Sequence, residues 1–263
     1  MIELDSRYAV KSVVRAIAIL EAIEDAHEDG LTVTEIAKLI GISKSAAFAT
    51  LYTLGSYGLV SDRDEGQTRR YTLGLALIRL GQQASAQNSI ADLARPTLRD
   101  LTEKTGLTSR VAVLDDGWAV VVGRVDARSA VRLDLGMGRQ EWPHSSGVGK
   151  AMLSTLPQGE VHSIVDRLGM PRKTPNTITD VDALLAALER VRSDGFCLDD
   201  EEDAEGVLCV AAPLSHLPGG AVGAISVTGL KADPLLRQPR RVGREVRAAA
   251  AEIAETARGR ARA

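Results

Sequence analysis

Residues 31–60 read LTVTEIAKLIGISKSAAFATLYTLGSYGLV. Thr32 stands three residues before Glu35, the spacing at which two side chains each satisfy an orphan backbone N–H in the first turn of a helix. Ile36, Leu39 and Ile40 then supply an inward stripe. Gly41 falls where a helix needs a left-handed residue to stop, and the Ser43 hydroxyl is placed to cap a second helix from Lys44. Along that helix Ala47, Leu51 and Leu54 recur at three- and four-residue spacing and face inward. Lys44, Ser45, Phe48, Ala49 and Tyr52 are left on the outward side. Two short amphipathic helices about a tight glycine turn predict a helix-turn-helix, with a mixed outer face suited to base-pair edges. The competing reading, a plain helical hairpin inside a core, loses ground to what flanks the segment.

Downstream, Leu59-Val60-Ser61 and Tyr71-Thr72-Leu73-Gly74 enclose the polar run DRDEGQTRR, a pattern that predicts a β-hairpin wing. Arg63, Arg69 and Arg70 on such a wing are candidates for phosphate or minor-groove contacts. Upstream, Val10, Val13, Val14, Ile17, Leu20 and Ile23 predict a first helix whose apolar face completes a three-helix core. The charge is less emphatic. Residues 1–75 carry 8 Lys and Arg against 11 Asp and Glu, while residues 38–74 carry 5 against 3. Positive charge is therefore local, nonspecific DNA affinity should be modest, and two copies of the patch in a dimer would compensate.

The whole chain, 263 residues with 44% hydrophobic and 25% charged composition, is sized for two ordinary domains. No apolar run approaches the roughly 20 residues of a membrane span. The N-terminus lacks the pattern of a secretory signal, so a cytoplasmic address without membrane association is expected. Cys197 and Cys209 form no CxxC pair, and neither a metal nor another cofactor is expected.

Past the wing, residues 75–87 read as a helix and a second begins near Ser89, interrupted at Pro96 and closed by Gly106. The predicted domains are 1–74, a linker helix at 75–88, and 89–263. From Thr108 three alternating stretches, SRVAVLDDGW, AVVVGRVD and AVRLDLGMG, suggest an antiparallel meander. Helices are predicted at GVGKAMLSTL, HSIVDRLG and DVDALLAALERVRSDG. Strands follow at FCLDDEE, VLCVAAPLS and AVGAISVTG, and a last helix runs from Pro234 to Arg258. Strands, helices and strands again describe an α+β domain with helices on a mainly antiparallel sheet.

Four motifs in order resemble the IclR-type transcriptional regulators: GISKSAAF, RRYTLG, HSSGVGKAML, and DGFCLDDEEDAEGVLCVAAPL together with AISVTG. The resemblance spans residues 10–229. It implies a winged helix-turn-helix, a linker helix and a GAF- or PAS-like domain that binds a small-molecule effector. It also implies a homodimer or dimer of dimers on a palindromic, double-stranded DNA operator. Carried over by motif, the implied pocket contains Gly147 and Val148 at a helix start, where backbone N–H groups favour a carboxylate. Asp199, Cys209, Ser226 and Thr228 come from the last three strands, and Leu133 matches an apolar wall position. Glu202 and Asp203 read as solvated acid and His144 as a structural hydrogen-bonder. The chain departs from the family at Ser43, where proline is usual, at Ala49, where an arginine would read guanine, and at Thr228, often serine.

An enzyme is the rival class. A P-loop needs glycine at 144 and Ser or Thr at 151, where the chain has His144 and Ala151. DDEEDAE lacks the glycine of a calcium loop, and the histidines at 27, 144, 162 and 216 are scattered. The expectation is a non-enzymatic, effector-responsive regulator, a repressor answering a small carboxylate such as a 2-oxo or hydroxy acid. Its alternatives are an aromatic-acid-responsive activator and a C-terminal domain that only dimerises.

Overall fold

The computed structural model describes residues 9–26, 30–65, 68–87, 89–128, 136–138, 140–215, 217 and 220–261. The chain divides into two compact units, Met1–Gln87 and Asn88–Ala263.

In the first unit α1 (Lys11–Glu24) precedes β1 (Leu31–Thr32), α2 (Val33–Leu39) and α3 (Lys44–Ser56). A hairpin of β2 (Val60–Glu65) and β3 (Thr68–Leu73) follows, and then α4 (Ala76–Gln87). The capping box forms as its spacing predicts. Thr32 N–H donates to Glu35 Oε2 at 2.8 Å, and Glu35 N–H donates to Thr32 Oγ1 at 3.2 Å. Gly41 takes φ +70°, and Ser43 Oγ accepts the Ala46 N–H at 3.2 Å. Each such cap contributes about 1 kcal/mol. The core gathers Ile19, Ile23, Ile36, Leu51, Leu54, Val60 and Tyr71.

Two expectations about that core need correction. Leu39 is 65% exposed, and Val10, Val13, Val14 and Ile17 lie on an exposed face of α1. The helix carries a second apolar stripe, Ala16, Ile19, Leu20 and Ile23, roughly 120° around its axis, and it is this stripe that packs. Periodicity finds both stripes, and only contact with α3 and β3 selects one. The wing strands also reach further than predicted, taking Arg63, Arg69 and Arg70 into the ladder, with Arg63 opposite Arg70. Strand β1 pairs on the outer side of β3 and gives the order β1-β3-β2. Gly74 closes the wing, because a Cβ there would lie 2.1 Å from the Gly58 carbonyl oxygen.

The second unit opens with α5 (Ser89–Thr105), β4 (Thr108–Asp115) and β5 (Trp118–Val125). Next come β6 (Gln140–Glu141), α6 (Gly147–Leu153), α7 (Gln158–Leu168) and α8 (Val181–Asp194). It closes with β7 (Cys197–Asp200), β8 (Val207–Leu214), β9 (Gly223–Leu230) and α9 (Pro239–Ala261). Six antiparallel strands lie in the order β6-β5-β4-β9-β8-β7, so the expected α+β architecture is present. Pro96 does not interrupt α5, which runs through it as one helix. The predicted third strand, AVRLDLGMG, falls mostly outside the described residues.

The two faces of this sheet differ in side-chain size, and that difference positions the site. Beneath it, α5 and α9 bring Leu93, Leu98, Val246 and Ile253 against Val111, Val210, Ile225 and Val227. Above it the strands present Ala112, Ala119, Ala211 and Ala224, and the short α6 settles onto them through Val148, Ala151 and Met152. Small residues let α6 approach closely: a Cβ on Gly147 would come within 2.7 Å of Cys209 Sγ. Helices α7 and α8 form an outer cluster around Leu153, Val161, Leu184 and Leu188.

Candidate functional site

The recognition helix α3 has the predicted polarity. Ala47, Leu51 and Leu54 are buried, and Lys44, Ser45, Phe48, Ala49 and Tyr52 are exposed, Tyr52 by 71%. Phe48 and Tyr52 border a groove whose other wall is Val60, Asp62, Arg69 and Tyr71, so the helix and the wing share one surface. The three wing arginines are not equivalent. Arg63 is exposed. Arg69 meets Asp62 at 3.2 Å, and Arg70 Nη1 donates to the Gly30 carbonyl at 3.0 Å beside Glu35. Arg70 is thus committed to holding the wing against the start of α2.

In the second unit, strand register collects the other candidates. Asp199 lies opposite Cys209, Cys209 opposite Thr228, and Thr228 opposite Thr108. Asp199, Cys209 and Thr228 line a cavity of about 490 Å³ with Arg110, Glu141, Trp142, Ser146, Lys173 and Asp203. Ser226 sits two pairs further along, opposite Ala211 and Arg110, fully buried and off the cavity wall. Gly147 and Val148 do not line the cavity. Gly147 packs on Cys209, and Val148 is fully buried between α6 and the sheet. Leu133 lies outside the described residues.

Asp199 Oδ1 accepts the backbone N–H groups of Glu202 at 2.9 Å and Asp203 at 3.1 Å. Burial pushes its carboxyl up to about 7 against the pull of the Lys150 ammonium. Burial also pushes the Cys197 thiol up to about 12, and Cys209 upward. Both thiols are neutral at pH 7 and poor nucleophiles. Burial lowers His144, whose Nε2–H donates to the Pro171 carbonyl at 3.1 Å, the structural role expected of it.

The acidic run contradicts its solvated reading. Glu202 pairs with the buried Lys150, which also donates to the Leu198 carbonyl at 2.8 Å. Asp203 Oδ1 accepts from Ser145 Oγ at 2.7 Å and Lys173 Nζ at 2.8 Å. Thr174 and Thr177 hydroxyls donate to the Glu201 and Glu202 carbonyls at 2.5 and 2.7 Å. The run is therefore a tied-down wall of the cavity. Its partners lie 25 to 58 residues away in the chain, out of reach of local reading.

Arg110 and Glu141 also went unpredicted. The Arg110 side chain is 3% exposed, and its Nη1 meets Glu141 Oε1 at 2.5 Å. The available signal was an arginine inside the alternating strand TSRVAV, on the face where alanines follow. Among the described residues no group of His, Cys, Asp and Glu is arranged to hold a metal ion, and no helix is long and apolar enough to cross a membrane.

Residues 12–64 match the model of the IclR helix-turn-helix domain, and residues 82–255 match that of the bacterial transcriptional regulator IclR C-terminal domain. The chain belongs to the IclR family of transcriptional regulators. It is 31% identical over 220 residues to the HTH-type transcriptional regulator BhcR of Paracoccus denitrificans, covering 84% of this chain and 77% of that one. To the HTH-type transcriptional repressor AllR of Escherichia coli it is 31% identical over 215 residues, 82% of this chain and 78% of that one. The crystal structure of the Thermotoga maritima IclR superposes with a TM-score of 0.76 at 26% identity, covering 93% of this chain and 98% of that one. In IclR terms, the first unit is the DNA-binding module and the second the effector module.

The close seat of α6 gives this IclR regulator a direct test. Gly147→Ala forces a methyl into Cys209 Sγ, and either α6 lifts or the cavity wall shifts. An overpacking cost of about 1–3 kcal/mol is expected. Thermal unfolding of the effector unit should show it, with the DNA-binding unit unchanged.

Proposed function

We propose that this IclR regulator is a one-component repressor that binds a palindromic operator as a homodimer or dimer of dimers. A small carboxylate effector releases or strengthens its grip. One observation carries the reading: an exposed recognition-helix face and a cavity lined by charged and polar side chains occupy two separate units of one chain. The cavity, at about 490 Å³, is within the usual range for small-molecule sites and speaks against a second unit that only dimerises.

In this reading α3 enters the major groove, where Lys44, Ser45, Phe48, Ala49 and Tyr52 face base edges. Arg63 and Arg69 reach phosphates, and Arg70 keeps the wing at its angle. The helix Ala76–Gln87 acts as the linker, so that effector binding in the second unit favours one spacing of the two recognition helices. By linkage, operator DNA alters effector affinity by the same factor. The effector meets Asp199, Cys209 and Thr228 directly, while Gly147, Val148 and Ser226 support the wall from behind. A cytoplasmic protein that reads DNA and senses a metabolite needs no membrane attachment.

Gel-shift titration against the DNA flanking its own gene, at two salt concentrations and with a panel of small carboxylates, tests the reading. A specific, salt-sensitive shift changed by one acid is expected. No shift beyond that of random DNA would overturn it. Lys44→Ala should weaken operator binding by about 1–3 kcal/mol and relax its preference at the base pair Lys44 faces. Asp199→Ala should alter the effector response and leave operator binding intact.

A further inference from the structure

Helix α3 reads KSAAFATLYTLGS, with one charged side chain, Lys44, and no Arg, Asn, Gln, Asp or Glu. Its other polar groups are largely turned back on the protein. The Thr50, Thr53 and Ser56 hydroxyls donate to the Ala46, Ala49 and Tyr52 carbonyls, each at 2.9 Å. Ser43 Oγ caps the helix, and Ser45 Oγ lies 3.1 Å from it. The side chains that read adenine by paired hydrogen bonds, Asn and Gln, are therefore missing from the recognition helix. So are Asp and Glu, which accept from cytosine, and Lys44 alone serves guanine.

In their place the outward face holds Phe48, 51% exposed, beside the exposed Ala49. The chain has two phenylalanines, and the other, Phe196, packs against the core of the second unit. A phenyl ring held half in water gains by meeting an apolar surface. The major-groove edges of the base pairs offer one apolar group, the C5 methyl of thymine. Cytosine presents an N4 amino group and no such methyl, while adenine and guanine present N7 with an amino or carbonyl group. Each of these would lose water to the ring and gain no hydrogen bond, so the ring favours thymine and disfavours the other three bases. Phe48 also borders the groove lined by Tyr52, Arg69 and Tyr71, on the surface that the helix and the wing share.

We propose that Phe48, flanked by Ala49, reads thymine methyl groups, and that the operator half-site is selected by the placing of its thymines more than by paired hydrogen bonds to purines. The inference rests on the DNA-binding reading above and specifies what in the operator is read. Burying one methyl group is worth about fourfold in a binding constant, so the two recognition helices of a dimer together give on the order of tenfold.

Two versions of one fragment, the DNA flanking the protein's own gene, separate the methyl contact from everything else. One carries thymidine and the other deoxyuridine throughout, which pairs identically and lacks only the methyl. In gel-shift titrations the full-length protein should bind the thymidine duplex about tenfold more tightly. Phe48→Ala should bring that ratio to within about twofold of one and leave the salt dependence, which phosphate contacts set, unchanged. Phe48→Gln, a good helix former suited to an exposed site, should do the same even if truncation to alanine disturbs the groove. Damage to the fold would weaken binding to both duplexes alike, so the ratio isolates the methyl contact. Equal binding of the two duplexes by the wild type, or a ratio unchanged in both variants, would overturn the proposal. Random DNA run alongside keeps the two readings apart. A thymidine duplex preferred to random DNA but not to its deoxyuridine copy leaves the regulator standing and removes the methyl readout, whereas one bound no better than random DNA removes both.

Discussion

Leu51→Ala should abolish operator binding while leaving the effector unit folded. Leu51 is 1% exposed at the centre of the core that joins α1, α2, α3 and the wing, and its neighbours include Ile19, Ile36 and Tyr71. Removing its side chain loses the transfer free energy of the buried methyl groups and leaves a cavity, a combined cost of about 2–5 kcal/mol. In a unit of this size each kcal/mol moves the melting temperature by roughly 4–8 °C. The core is small and separate from the clusters of the second unit, so the loss falls on one transition. Calorimetry should show the first unit's transition moving down by more than about 10 °C, with the other in place. If both transitions fell together, the two units would be one cooperative structure.

Asp199→Asn should remove the pH dependence that the wild-type carboxyl imposes. Burial raises Asp199 from an ordinary value of 3.8 to about 7 in the folded chain. The folded state therefore holds a proton that the unfolded state releases between those values. Stability from this group is complete below about pH 4 and is lost as pH rises through about 7. Asparagine keeps an Oδ1 acceptor for the Glu202 and Asp203 N–H groups and never ionises. The variant should match the wild type near pH 4 and exceed it at pH 8, by on the order of 4 kcal/mol. Denaturant melts at pH 4, 6 and 8 read the difference directly. A gap that does not grow with pH would mean that Asp199 titrates as an ordinary carboxylate. The same proton bears on ligand choice: protonated Asp199 can donate to a ligand's carboxylate or hydroxyl, so an acidic effector should bind less tightly above pH 7.

Local chemistry made the DNA-binding unit legible. Thr32, Glu35, Gly41 and Ser43 act within three or four residues, and each does in the structure what its spacing predicts. Which apolar stripe of α1 faces inward was not legible, because the choice depends on partners far along the chain. The cavity of the second unit was half legible. Asp199, Cys209 and Thr228, singled out by resemblance, do line it, because successive antiparallel strands set them side by side. Arg110, Glu141, Lys173 and Asp203 were missed because their meaning lies in pairs 30 or 31 residues apart.

Periodicity, turn chemistry and capping are short-range, so the chain's local pattern specifies the helix-turn-helix, its caps, the wing and the α+β order of the second unit. The use of each charge is set by folding. An arginine or glutamate costs too much to bury alone, so its place depends on the partner that folding brings to it. Arg70 therefore braces the wing, Lys150 and Glu202 lock the loop after β7, and Arg110 with Glu141 shapes the cavity.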